Sequence, residues 1–122
     1  FDRVLVDAPC SGLGTLRRRP DLRWRVAPTA VGELAALQRR LLAAAADLLR
    51  PGGSLTYSVC TLTAEETTGV DAWLAEHRPD LVPDLPDLPD GWEPWGRGAL
   101  LLPQAQGTDG MALFRYARRP AG

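Results

Sequence analysis

Two short apolar runs, each breaking off at a polar loop that carries a cysteine, constrain this chain more than any other feature. The first is Val4-Leu5-Val6, followed by Asp7-Ala8-Pro9-Cys10-Ser11-Gly12; the second is Ser54-Leu55-Thr56-Tyr57, followed by Ser58-Val59-Cys60-Thr61. Runs of this length bounded by turn formers read as buried strands. Between them Pro28-Thr29 reads as a helix start. Leu34, Leu37, Leu41, Ala45 and Leu48 then recur at steps of three and four, which predicts one apolar helix face, and Pro51-Gly52-Gly53 ends it. Strand, helix, strand in this order predicts a parallel pair. Both cysteine loops then lie at the carboxyl end of the sheet, where open α/β folds bind their ligands, so two thiols and the Asp7 carboxylate are expected around one pocket.

After Cys60, Thr63-Ala64-Glu65-Glu66 has the form of a capping box, in which hydroxyl and carboxylate each satisfy an orphaned N–H at a helix start. Val70, Trp73 and Leu74 mark the buried face of that second helix, which ends near His77-Arg78-Pro79. From Pro79 to Gly98 prolines recur through Pro83-Asp84-Leu85, Pro86-Asp87-Leu88 and Pro89-Asp90, and this stretch is expected to be an extended surface loop pinned by Trp92 and Trp95. Ala99 to Leu102 and Met111 to Ala117 read as a last antiparallel pair closing the far edge of the sheet. Gly12 to Pro28 has no sustained periodicity and reads as a loop.

With 122 residues, 45% of them apolar, the chain suffices for one modest core. Net charge is −1, so binding to nucleic acid through overall charge is excluded and any such contact must be local. All 14 basic residues are arginine; lysine, isoleucine and asparagine are absent, which points to GC-rich coding and weakens arginine number as a sign of phosphate recognition. Arg17, Arg18, Arg19, Arg23 and Arg25 nevertheless cluster around Trp24, a combination suited to single-stranded RNA; the competing reading is a solvated loop anchored by Trp24. The cysteines are 50 positions apart with only His77 as a nitrogen donor, so no metal site is expected. No signal peptide or long apolar span is present, and a reducing cytoplasm and no membrane association are expected.

The two motifs, together with Gly14-Thr15-Leu16-Arg17-Arg18, Gln38, Pro51-Gly52-Gly53, Glu65-Glu66 and Gly107-Thr108-Asp109-Gly110, resemble in order and type the RNA cytosine-C5 methyltransferases. That family holds the bacterial 16S ribosomal RNA enzyme and the eukaryotic NOL1/NOP2/Sun proteins. Its chemistry needs a cysteine, because C5 of cytosine becomes nucleophilic only after a thiolate has added to C6. The resemblance implies that Cys60 is the nucleophile, that Cys10 assists product release and that Asp7 contacts the methyl donor, S-adenosylmethionine. Val59 departs from the family's usual threonine, and Met111-Ala112 from its aromatics.

The implied fold class is α/β: the C-terminal half of a Rossmann-like methyltransferase sheet, parallel strands with a terminal antiparallel hairpin-like pair. Residues 1–122 are expected to be a partial S-adenosylmethionine-dependent domain lacking the cofactor-binding half, because Phe1 runs straight into a strand and no glycine-rich loop precedes it. Donor binding by this chain alone is therefore expected to be weak. RNA, ribosomal by resemblance, is the expected partner, and self-association through an exposed first strand is expected too. Two alternatives stand beside this reading. DNA cytosine methylation would leave the second cysteine unexplained and lacks its Glu-Asn-Val motif; a non-catalytic fragment or interaction module remains for the isolated chain.

Overall fold

The computed structural model describes residues 1–9, 28–61, 63–88, 90–101 and 110–120. In chain order the elements are β1 (Arg3–Asp7), α1 (Pro28–Leu48), β2 (Ser54–Val59), α2 (Thr68–His77), β3 (Leu81–Pro83), β4 (Trp92–Trp95), β5 (Gly98–Leu101) and β6 (Met111–Arg118). They form one sheet in the order β1-β2-β6-β5-β4, with β3 also paired to β6. β1 and β2 are parallel, as the strand-helix-strand order requires, and their register runs from Arg3 opposite Ser54 to Asp7 opposite Ser58. All other pairings are antiparallel.

The predicted terminal pair is present, but its placement differs from expectation. β6 lies against β2 in mid-sheet, while β5 and β3 pair along its other side. The far edge is β4, within the stretch read as an extended loop. Trp95 and Gly98 face each other across Gly96-Arg97, a two-residue hairpin with Gly96 at φ 57°. Pro94 is tolerated because β4 is an outer strand and one side of it needs no donor.

Alternation sets the two faces of the sheet. Leu55, Tyr57 and Val59 on β2 and Ala112, Phe114 and Tyr116 on β6 are buried and form one core with both helices. The apolar face of α1 is turned from its predicted position: its buried positions are Val31, Ala35, Gln38, Leu42, Ala45 and Ala46, with buried Leu49 just past its end, whereas Leu41 and Leu48 are exposed. Two overlapping stripes at three-four spacing exist on this helix, and the one that carries Ala35, Ala45 and Ala46 packs over the sheet. Helix α1 ends where Gly52 takes φ 83° and returns its N–H to the Arg118 carbonyl at 2.8 Å.

Helix α2 begins at Thr68, after a turn over residues 64–67, so its N-terminus is set back from Cys60 and the capping box forms only in part. The Glu66 N–H does reach Thr63 Oγ1, at 3.4 Å. The Glu66 carboxylate turns into the core, and the Thr63 N–H is met by Thr61 Oγ1 at 3.4 Å. At the other end of α2, His77 Nδ1 lies 2.9 Å from the Trp73 carbonyl and its ring stacks on Trp73.

Candidate active site at the strand ends

Parallel pairing brings the two cysteine-bearing motifs together. β1 and β2 end side by side, with Asp7 opposite Ser58, and among the described residues the last backbone bond between them runs from the Ala8 N–H to the Ser58 carbonyl at 3.2 Å. Paired strands lie about 4.8 Å apart, so Asp7 sits close beside the segment that leads into Cys60. Asp7 is exposed and Cys60 half-buried. Asp7 also stands at the rim of an open apolar groove between β1 and α1, lined by Leu5, Val6, Pro9, Leu41 and Leu48. Cys10 and the cluster Arg17, Arg18, Arg19, Arg23 and Arg25 lie outside the described residues.

Beneath these strand ends lies a buried polar network. Glu66, fully inaccessible to solvent, accepts hydrogen bonds at Oε2 from Thr61 Oγ1 (2.8 Å) and Thr63 Oγ1 (2.7 Å), and at Oε1 from Gln38 Nε2 (3.2 Å). Its backbone carbonyl accepts from the Tyr57 hydroxyl at 2.7 Å. Gln38, also fully buried, donates in addition to the Pro9 carbonyl at 2.9 Å. One amide group on α1 thus touches the loop after β1 and, through Glu66, the loop after β2. From the outer sheet, Trp95 Nε1 donates to Thr67 Oγ1 at 2.8 Å, and that hydroxyl donates to the Thr63 carbonyl at 2.6 Å, fixing the turn that presents Glu66.

Charge balance alone does not reveal this network. Gln38 and Glu66 belong to the motif set quoted above, yet Glu66 reads from spacing as a helix cap and Gln38 has no role by spacing. The available signal was a polar residue in the row Val31, Ala35, Gln38, Leu42, where an apolar side chain is the rule. The dipole of α2 offers little aid to a thiolate at Cys60, because the effect fades within the first turn and residues 64–67 intervene. Among the described residues no group of three or more His, Cys, Asp or Glu side chains could hold a metal ion, and no helix is long and apolar enough to cross a membrane.

A family model described as "16S rRNA methyltransferase RsmB/F" matches residues 1–116. The protein Rv1407 of Mycobacterium tuberculosis (strain ATCC 25618 / H37Rv) is 48% identical over 98% of this chain and 26% of its own length. Ribosomal RNA small subunit methyltransferase F of Escherichia coli O139:H28 is 50% identical over 70% of this chain and 18% of its own length. Among solved structures, NSun6 from Pyrococcus horikoshii with SFG superposes with a TM-score of 0.82 at 28% identity, covering 96% of this chain and 30% of that one. The chain spans about a quarter of the length of the first of these relatives. Its sheet, mostly antiparallel beyond β1 and β2, is part of the Rossmann-like fold of such methyltransferases.

Proposed function

The chain belongs to the RsmB/F family of 16S rRNA methyltransferases, and on that premise we propose that its parent protein methylates C5 of a cytosine in 16S ribosomal RNA through a covalent adduct at Cys60. The observation that carries this reading is the parallel register that sets Asp7 opposite Ser58, two residues ahead of Cys60. The Cys60 thiolate adds to C6, forming the S–C6 bond and moving electron density to C5. C5 would take the methyl group as that group's bond to the donor sulfonium breaks, leaving a neutral thioether; the C5 proton then leaves to a base and the S–C6 bond breaks, restoring the aromatic ring and the thiolate. A thiol titrates near ~8.5, so only a few per cent is ionised at neutral pH and orientation of the base must supply much of the advantage. Cys10 is the residue proposed to assist release.

S-adenosylmethionine is the proposed donor; when bound it supplies an electrophilic methyl group. The residues here fit part of its site: the exposed Asp7 carboxylate at the rim of an open groove offers an acceptor to a polar donor group. The chain spans about a quarter of the length of its Mycobacterium relative, in keeping with residues 1–122 being one part of the domain that binds the donor weakly by itself. The arginines Arg17, Arg18, Arg19, Arg23 and Arg25 are the proposed RNA contacts. The isolated chain is accordingly proposed to be inactive alone.

The test uses the full-length protein. Cys60→Ala abolishes methyl transfer to 16S rRNA, whereas Cys10→Ala accumulates a protein–RNA adduct that survives denaturing electrophoresis. Sustained transfer by Cys60→Ala would remove the nucleophile assignment. Calorimetric titration of S-adenosylmethionine is expected to show weak binding to the isolated chain and tighter binding to the full-length protein.

A further inference from the structure

We propose that Gln38 and Glu66 are positioning residues, a buried side-chain bridge that fixes the loop after β1 against the loop after β2. Among the described residues, the backbone bond from Ala8 to Ser58 is the last between the two strands. Past that bond no further backbone pairing joins the two motif segments among the described residues, and this is where they must keep a fixed relation. Gln38 spans the gap: the same Nε2 donates to the Pro9 carbonyl, 2.9 Å away, and to Glu66 Oε1, 3.2 Å away, while Glu66 Oε2 holds the hydroxyls of Thr61 and Thr63. Thr61 follows Cys60 directly, and the Pro9 carbonyl belongs to the peptide bond that leads into Cys10.

The chemistry of the bridge argues against a role in stability alone. A carboxylate and a carboxamide, each with no solvent exposure, have been taken out of water in a core where apolar side chains of similar volume would pack without that desolvation. Among the described residues Gln38 Oε1 has no hydrogen-bond partner, so one half of the amide gains nothing from its position. That loss is tolerated because only the NH₂ end can serve two acceptors at once. With both acceptors fixed, the amide has one productive orientation, and buried networks of this kind select one arrangement of their surroundings.

Two arms test the bridge in the full-length protein, and the second rests on the methyltransfer reading. Gln38→Met keeps the volume and removes both bonds. The Ala8 amide, at the end of the strand pairing, is expected to exchange its hydrogen about tenfold faster, while the Tyr57 and Phe114 amides keep their protection. Unchanged exchange at Ala8, or equal acceleration at all three, would overturn the proposal. In the second arm the swap Gln38→Glu with Glu66→Gln restores a 38–66 hydrogen bond with donor and acceptor exchanged, but leaves the Pro9 carbonyl without a donor. It is expected to keep the thermal midpoint within a few degrees and the KM for RNA, while lowering kcat about tenfold or more and building up the denaturation-resistant adduct. Normal kcat in the swapped protein overturns the coupling. If Cys10→Ala gives no adduct and Cys60→Ala stays active, the methyltransfer reading fails, and the exchange of Ala8 alone decides the bridge.

Discussion

Asp71 joins three elements through one carboxylate. It lies on α2 with its side chain 7% exposed, accepts the Tyr116 hydroxyl of β6 at 2.6 Å, and receives Arg97 of the β4–β5 turn at 2.8 and 3.0 Å. Burial first, and the bond to Asp71 second, push the Tyr116 hydroxyl far above its ordinary pKa, so it remains a donor at every accessible pH. Asp71→Ala strands a buried hydroxyl and an arginine; since Arg97 is about one-third exposed, the expected loss is ~3 kcal/mol, at the low end for a broken buried pair. Tyr116→Phe, which leaves the ion pair in place, is expected to cost only about 1 kcal/mol. Chemical unfolding of both variants checks the ranking, and equal losses would contradict it. Little of this is legible locally. Asp71 follows Val70 on the helix and looks like a solvated charge until Tyr116, far along the chain, is brought over it. Cys60 and Asp7, by contrast, are legible because their motifs carry the chemistry and the strand order fixes their ends. Gln38 and Glu66 are legible only as letters of a motif.

At the level of elements, Arg78 ties the ends of the two helices to β3. Just after α2, it donates to Asp80 at 2.9 and 3.0 Å, to Asp47 on α1 at 2.9 Å and to the Ala43 carbonyl at 3.0 Å. The hydrogen bond from Arg78 holds the Asp80 carboxyl below its ordinary value of 3.8. A carboxyl whose pKa is lower in the folded chain than in the unfolded chain contributes stability that is complete above the ordinary value. That contribution fades as pH falls through the folded value. Unfolding midpoints measured from pH 6 down to about pH 2 should therefore fall less steeply for Asp80→Asn than for the unaltered chain, and parallel curves would contradict this. Helices α1 and α2 and strands β1, β2, β5 and β6 were all legible as elements. Strands β3 and β4 were not, because prolines at Pro83, Pro86, Pro89 and Pro94 mask strand periodicity. The turn Gly96-Arg97-Gly98 was the overlooked hairpin signal. Gly98 must be glycine there, since a Cβ would come within 2.5 Å of the Leu113 carbonyl and the Phe114 ring.

For the whole molecule, burial is one-sided. Both helices cover one face of the sheet, and among the described residues β1 is an outer strand with Leu5 67% exposed beside exposed Leu41 and Leu48. An unpaired strand edge next to apolar surface is a template for another chain. Light scattering of residues 1–122 at rising concentration should show species larger than one chain; a monodisperse monomer throughout would contradict an open edge. The turned face of α1 explains why this surface could not be read from periodicity: apart from Gln38 both of its stripes are apolar, and only packing chooses between them. The central claim concerns one sulfur atom, and mass mapping of the trapped complex formed by full-length Cys10→Ala with 16S rRNA tests it most directly. The account predicts a cytidine-derived mass on the peptide containing Cys60. A modification on any other residue, or methylated RNA produced after Cys60 is replaced by alanine, would contradict it.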